Sequence, residues 1–228
     1  MDAAIAGTDN FVYATGAVRA LHAKGNHAIG YVDAGDAEDY RPDFQQYVNF
    51  NAACSGCLIG NPYAGFTNEY MLNINNDQGQ ADFIRKMIQA RTDRVAANSF
   101  DAVEYDVVSN FENHSGFKIT YETQVKFNVS LTEIAHADGL SAPLKSDVDQ
   151  AKDRALQKAF DFVIDEQCWQ YDQCQDYAAW QSAGKSILNV EYKLKPSEFC
   201  PQANAMNFNS IKKSGTYNLY DNPWEPCR

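Results

Sequence analysis

The stretch Ala81-Asp-Phe-Ile-Arg-Lys-Met-Ile-Gln-Ala-Arg-Thr-Asp-Arg-Val-Ala-Ala97, followed after two residues by Phe100-Asp-Ala-Val-Glu-Tyr-Asp-Val107, decides the fold class. Ile84, Met87, Ile88, Arg91 and Val95 recur at helical spacing, so 81–97 is predicted as a helix with one inward face. The run 100–107 is short, rich in apolar and β-branched residues, and reads as a strand. Outward from this pair the alternation continues. On the N-terminal side, 17–23 is a predicted helix and His27–Val32 a buried strand ending in Asp33-Ala-Gly35. On the C-terminal side, 123–137 is a helix stopped by Asp138-Gly139, 140–145 a strand and 148–160 a helix. Then come a strand over 160–165, a helix over 171–182, a strand over 186–192 and a last strand over 206–211. Six strands joined by mostly helical segments argue for a parallel α/β fold. A doubly wound sheet and a barrel both fit this pattern. The excursion 36–80, rich in aromatic, Asn and Gly residues, is too long for a plain connection and is expected to carry function or a cover.

The chain has 228 residues, with 19 Lys+Arg against 30 Asp+Glu and a net charge of -11. No repeat, linker or charge block divides it, so one domain over 1–228 is expected. An acidic chain is a poor partner for nucleic acid and for anionic membranes, and no apolar run is long enough to span a bilayer. Met1-Asp-Ala-Ala4 has no basic leader. The six cysteines include two close pairs, Cys54/Cys57 and Cys168/Cys174, with Cys200 and Cys227 left over. Neither zinc spacing nor a βαβ redox context accompanies them, so disulfides in an oxidising compartment are the better reading. Asn113-His-Ser115 and Asn128-Val-Ser130 are glycosylation triplets that fit secretion.

In either parallel fold, functional side chains gather at the carboxyl ends of strands. Those ends carry Asp33, Asp106, Lys145, Glu166 and Glu191. Asp106 and Glu166 form a candidate carboxylate pair, as glycoside hydrolysis requires: one acid protonates the leaving oxygen while the other attacks or activates water. Helix capping or pairing with a basic residue accounts for the same two acids on periodicity alone. No Gly-rich phosphate loop, serine elbow or histidine–metal spacing is present, so no cofactor and no metal are expected. Tyr40, Phe44, Tyr47, Tyr63, Phe66 and Tyr70 crowd the long excursion, where they serve either as sugar-stacking platforms or as packing.

Several blocks resemble glycoside hydrolase family 114, the endo-α-1,4-polygalactosaminidases. They are Ile29-Gly-Tyr-Val-Asp-Ala-Gly-Asp-Ala-Glu-Asp-Tyr-Arg-Pro-Asp43, then Phe100–Asp106 with Asn113–Phe117, then Ala135–Leu140 with Leu144–Asp147. Phe160–Cys174 and Ala183–Tyr192 follow in the family's order. The resemblance implies a (β/α)8 TIM-type barrel. It gives Asp106 as nucleophile and Glu166 as general acid/base, with Asp33, Glu38, Lys145, Asp147, Glu191 and Tyr192 lining the substrate. Its implied partner is a cationic, α-1,4-linked galactosamine polymer, with Asp33, Glu38 and Glu191 suited to ammonium groups. It also implies a Cys168–Cys174 disulfide and a Cys200–Cys227 disulfide, while the resemblance does not place Cys54–Cys57, which is read as a disulfide from its spacing.

Departures from the family pattern accompany the likeness. Asp106-Val-Val-Ser109 stands where the family usually has Asp-Asn-Val-Asp, Lys145-Ser-Asp147 where it has Lys-Asn-Asp, and Leu72-Asn-Ile-Asn75 where it has Leu-Asp-Ile-Arg. Residues 9–15 resemble the tail of the family's second strand, so the N-terminal first strand of the barrel is expected to be lacking. The resulting expectation is a secreted, monomeric glycoside hydrolase whose partner is polysaccharide, with no nucleic acid and no membrane. A weak or inactive polysaccharide-binding barrel and a redox protein using Cys54/Cys57 are the alternatives.

Overall fold

A computed structural model describes residues 11–217, 219 and 221–228. The chain divides into two compact units, Met1–Ala142 and Pro143–Arg228. Among the described residues, no helix is long and apolar enough to cross a membrane.

The first unit begins with helix α1 (Phe11–His22), so the strand expected over 9–15 is corrected: 11–15 are helical, and 9 and 10 lie outside the described residues. Ala17 and Ala20 supply the helix propensity that carries α1 through this stretch. Strand β1 (Ile29–Asp33) follows and pairs in parallel with β5 (Ala102–Asp106), with Asp33 opposite Asp106. The excursion between them is a built structure. It holds β2 (Asp36–Glu38), α2 (Phe44–Ala53), β3 (Ile59–Pro62) and β4 (Glu69–Leu72), the strands forming an antiparallel sheet of order β2-β4-β3. Helix α3 (Gln80–Ala97) buries Ile84, Met87, Ile88, Arg91 and Val95, the face its spacing predicts. Helix α4 (Tyr121–Ala137) starts at Thr120, whose hydroxyl accepts from the Thr123 N–H. Asn128 is fully buried in α4 and donates to the Val108 carbonyl at 2.8 Å, so the second glycosylation triplet is not displayed to solvent.

The second unit is a mostly parallel sheet of order β10-β9-β8-β7-β6. Its strands are β6 (Pro143–Lys145), β7 (Phe162–Glu166), β8 (Ile187–Glu191), β9 (Asn209–Lys212) and β10 (Glu225–Pro226). The helix expected over 148–160 is broken: a turn of 3-10 helix covers Val148–Gln150, and α5 (Arg154–Ala159) restarts where the Asp153 carboxylate accepts from the Ala155 N–H. The helix expected over 171–182 is likewise shortened to a 3-10 turn (Cys174–Tyr177) and α6 (Ala178–Ser182), because the Cys168–Cys174 disulfide pins the preceding loop. Helix α7 (Pro196–Ala205), capped through Glu198, occupies a stretch that sequence periodicity left unassigned. The parallel strands β1 and β5 of the first unit and β6–β9 of the second are six in number, as expected from the sequence.

Candidate active site

In the first unit the site is built at the ends of β1 and β5. In parallel strands aligned at Asp33 and Asp106, Tyr31 and Asp33 share a face with Glu104 and Asp106. The Asp106 Oδ2 lies 3.0 Å from the Tyr31 hydroxyl, which also lies 3.1 Å from Asp33 Oδ2. Burial, together with the charges of Asp33 and Asp106, pushes the Tyr31 phenol far above its usual range, so it remains a proton donor between two carboxylates. Asp106 Oδ1 accepts from the Val107 N–H at 2.8 Å. Both Asp106 oxygens are therefore oriented. Sequence reasoning passed over Tyr31, whose signal was its position two residues before Asp33, on the same strand face.

Gly35 follows at a close approach. A Cβ there would lie 1.7 Å from the Val107 carbonyl oxygen, so only glycine fits between the β1–β2 turn and the turn after Asp106. Glu38, expected at the substrate, is engaged elsewhere. It is 2% exposed, its oxygens accept from Arg41 Nε at 2.5 Å and Arg41 Nη2 at 2.6 Å, and the Tyr40 hydroxyl donates to it as well. Arg91 completes this network with a bidentate pair to Asp43, both contacts at 2.8 Å. Of the excursion's aromatics, Tyr47 is fully buried, while Tyr63 and Phe66 stack at 5.2 Å with Phe66 half exposed.

In the second unit Glu166 ends β7 with its side chain 33% exposed. Its Oε2 accepts from the Tyr192 hydroxyl at 2.8 Å, and its Oε1 lies 3.4 Å from the Lys145 ammonium. Lys145, Glu166 and Tyr192 are thus brought together. Asp147 is buried two residues beyond Lys145. Glu191 is not part of that group. The register pairs Asp165 with Asn189 and Glu166 with Val190, so Glu191, two residues beyond Asn189, lies on the face of Asp165 and Asn189 and not on that of Glu166. Glu191 is 0% exposed, and its Oε1 accepts from the Trp169 N–H at 2.9 Å, which holds the loop after Glu166. The sequence placed Glu191 correctly at a strand end but gave no means of telling which face of a doubly covered strand is the inner one.

Burial pushes Asp165 up to about 6 and Glu191 up to about 7, in each case against the hydrogen bonds they accept. Because both values lie above the unfolded ones, the native state binds more protons than the unfolded state. Their contribution to stability is complete below about pH 4 and is lost as pH rises through about 6 and about 7. The melting temperature is therefore expected to fall between pH 5 and pH 8, and Glu191→Gln to flatten that slope, as differential scanning calorimetry across the range would check. An unchanged slope in the variant would rule out the linkage.

Three strand ends share a backbone device. Val107 follows Asp106 with φ 55°, Ser146 and Asp147 follow Lys145 with φ 49° and 45°, and Gln167 follows Glu166 with φ 68°. The left-handed region is least tolerable for a β-branched side chain, at a cost of roughly 1–2 kcal/mol. Val107→Gly is accordingly expected to be more stable than Val107→Ala by about 1 kcal/mol, the reverse of the usual order. Chemical denaturation of the pair measures this, and Ala proving the more stable would remove the strain.

The three disulfides are Cys54–Cys57, Cys168–Cys174 and Cys200–Cys227. Cys54 caps the C-terminal end of α2, where the helix dipole disfavours a thiolate. That placement speaks against redox catalysis by Cys54-Ser-Gly-Cys57.

Residues 1–227 match the protein family described as glycoside-hydrolase family GH114. This chain belongs to that family. Among solved structures, the GH114 chain is similar to Aspergillus fumigatus Ega3 in complex with galactosamine, with a TM-score of 0.79 and 25% identity over 93% of this chain and 83% of that one. The glycoside hydrolase domain of PelA from Pseudomonas aeruginosa has a TM-score of 0.59 at 11% identity, covering 88% and 83%. Morphinone reductase in complex with tetrahydroNAD reaches 0.58 at 11% identity, covering 91% and 67%. At such identities the last two speak for the fold alone. No curated protein sequence matches the chain. Family membership makes this GH114 chain a glycoside hydrolase with an α/β fold.

Proposed function

We propose that this GH114 chain is a secreted, monomeric hydrolase of α-1,4-linked galactosamine polymers, working as a single (β/α)8-type domain. The observation that carries the substrate is the similarity to Ega3, solved with galactosamine, over 93% of the chain. Asp106, with an N–H on one oxygen and a phenol on the other, is the nucleophile, since its lone pairs are aimed by fixed donors. Glu166, partly exposed and contacted by Tyr192, is the acid/base that exchanges a proton with the leaving oxygen and then with water. Lys145, Asp147 and Tyr192 line the substrate, Asp33 supports the nucleophile through the Tyr31 hydroxyl that lies between the two acids, and the stacked Tyr63–Phe66 pair offers a sugar a flat apolar surface. Glu38 and Glu191 hold the scaffold. Three disulfides fit an oxidising, extracellular setting.

Incubation with partly deacetylated galactosaminogalactan, followed by mass spectrometry of the soluble fraction, tests this reading. Released oligosaccharides are expected. NMR of the fresh products gives the anomer, with retention expected for a nucleophilic Asp106. The second reading, a polysaccharide-binding chain without turnover, is favoured by the strained Val107 beside Asp106. It predicts sedimentation with insoluble polymer and no products.

A further inference from the structure

We propose that Asp33, Asp36 and Glu69 form a calcium site. Asp33 ends β1, Asp36 opens β2 and Glu69 opens β4. In the antiparallel β2–β4 pair, Asp36 lies opposite Met71 and Glu38 opposite Glu69, so Asp36, Glu38 and Glu69 share one face. Arg41 neutralises Glu38. The other two turn to Asp33, and one oxygen from each of the three carboxylates lies within 4.8 Å of the others.

The second observation is what these oxygens lack. Asp36 is 0% exposed, and neither of its carboxylate oxygens meets a hydrogen-bond donor; Asp33 Oδ1, on a side chain 2% exposed, meets none either. The Asp36 carboxyl lies within reach of the carboxylates of both Asp33 and Glu69. A desolvated carboxylate without a donor is costly, and three facing one another compound the cost. A proton or a cation resolves this.

One shared proton joins two carboxylates through a short bond, about 2.5–2.7 Å, and leaves the third unserved. A divalent ion serves all three. Calcium takes oxygen ligands at roughly 2.3–2.6 Å, so opposite ligands stand about 4.6–5.2 Å apart, a spacing that accommodates this cluster. Magnesium demands a tighter octahedron, and an all-carboxylate set is too hard for zinc or copper. Glu69 is partly exposed and gives the ion its approach, leaving room for water ligands. The inference does not rest on the assignment of substrate.

The test uses the full chain, stripped with chelator and dialysed into metal-free buffer at constant ionic strength. Calorimetric titration with calcium chloride is expected to show one saturable ion per chain, and saturating calcium to raise the melting temperature by about 5 °C or more, a shift that ligand linkage allows. Asp36→Asn is expected to abolish this uptake while melting, metal-free, at or above the parent temperature, because an amide needs no counter-charge. Glu69→Gln should weaken calcium at least about tenfold. Three results overturn the site: no saturable uptake by the parent; uptake that Asp36→Asn leaves unchanged, which is diffuse binding to an acidic surface; or stabilisation by galactosamine instead of calcium that Asp36→Asn removes, which makes the cluster a sugar pocket.

Discussion

Glu166→Gln is expected to lower kcat/KM on the galactosamine polymer by about 10³-fold or more, with Asp106→Asn falling at least as far. An amide at 166 still accepts from the Tyr192 hydroxyl, so the side chain keeps its place. What it loses is the proton that the leaving oxygen requires. An amide at 106 accepts from the Val107 N–H with its oxygen and turns its nitrogen to the Tyr31 hydroxyl, which still has Asp33 to donate to, but it is no nucleophile. The scaffold cost falls on Lys145, whose side chain is 8% exposed and loses a counter-charge at 3.4 Å: about 1–3 kcal/mol, or roughly 2–12 °C in melting temperature. The discriminating measurement is turnover against thermal stability in both variants. A loss of activity that tracks a loss of folding would point to packing. Activity surviving in a stable Glu166→Gln would dismiss the residue from the chemistry.

Much of this is legible in the sequence. The helical period over 81–97 and the short runs around Asp33, Asp106, Lys145 and Glu166 gave the parallel strands and the candidate residues at their ends. What failed did so for local reasons. In a strand covered on both faces every residue is apolar or protected, so alternation cannot tell inside from outside, and Glu191 was assigned to the substrate when it anchors Trp169. Glu38 invited the same reading, although Arg41 three residues on signalled its real partner. Tyr31, Asp36 and Glu69 were passed over because their meaning lies in pairing across strands, which spacing along the chain does not record. The broken helices after 148 and 171 were missed because an Asp cap and a disulfide loop interrupted runs that look continuous by composition.

Arg91 carries the largest expected effect on stability. The sequence set it on the inward face of α3 among Ile84, Met87, Ile88 and Val95, where a charge must be paired to be tolerated. Its partners bear this out: a bidentate pair with Asp43, a donation from Nη1 to the Asp33 carbonyl at 3.1 Å, an approach to Glu38 at 3.8 Å, and a cation–π contact with Tyr47 at 5.7 Å. Burial alone would raise Asp43, but the hydrogen bonds and charge of Arg91 hold it below the usual carboxylate range. Arg91→Met keeps the stem and removes the charge. It leaves Asp43 without its fork and Glu38 with Arg41 as its cation and the Tyr40 hydroxyl as its neutral donor, and is expected to cost about 3–5 kcal/mol, a fall of roughly 10 °C in melting temperature. Arg91→Lys restores the charge without the planar fork and should recover only part of that loss. Adding Asp43→Asn to Arg91→Met should recover part of it too, because the orphaned carboxylate is then gone. Thermal denaturation of the three variants decides the matter. If Arg91→Met melted within about 2 °C of the parent, the network would be ornamental and helix packing alone would hold α3 against β1.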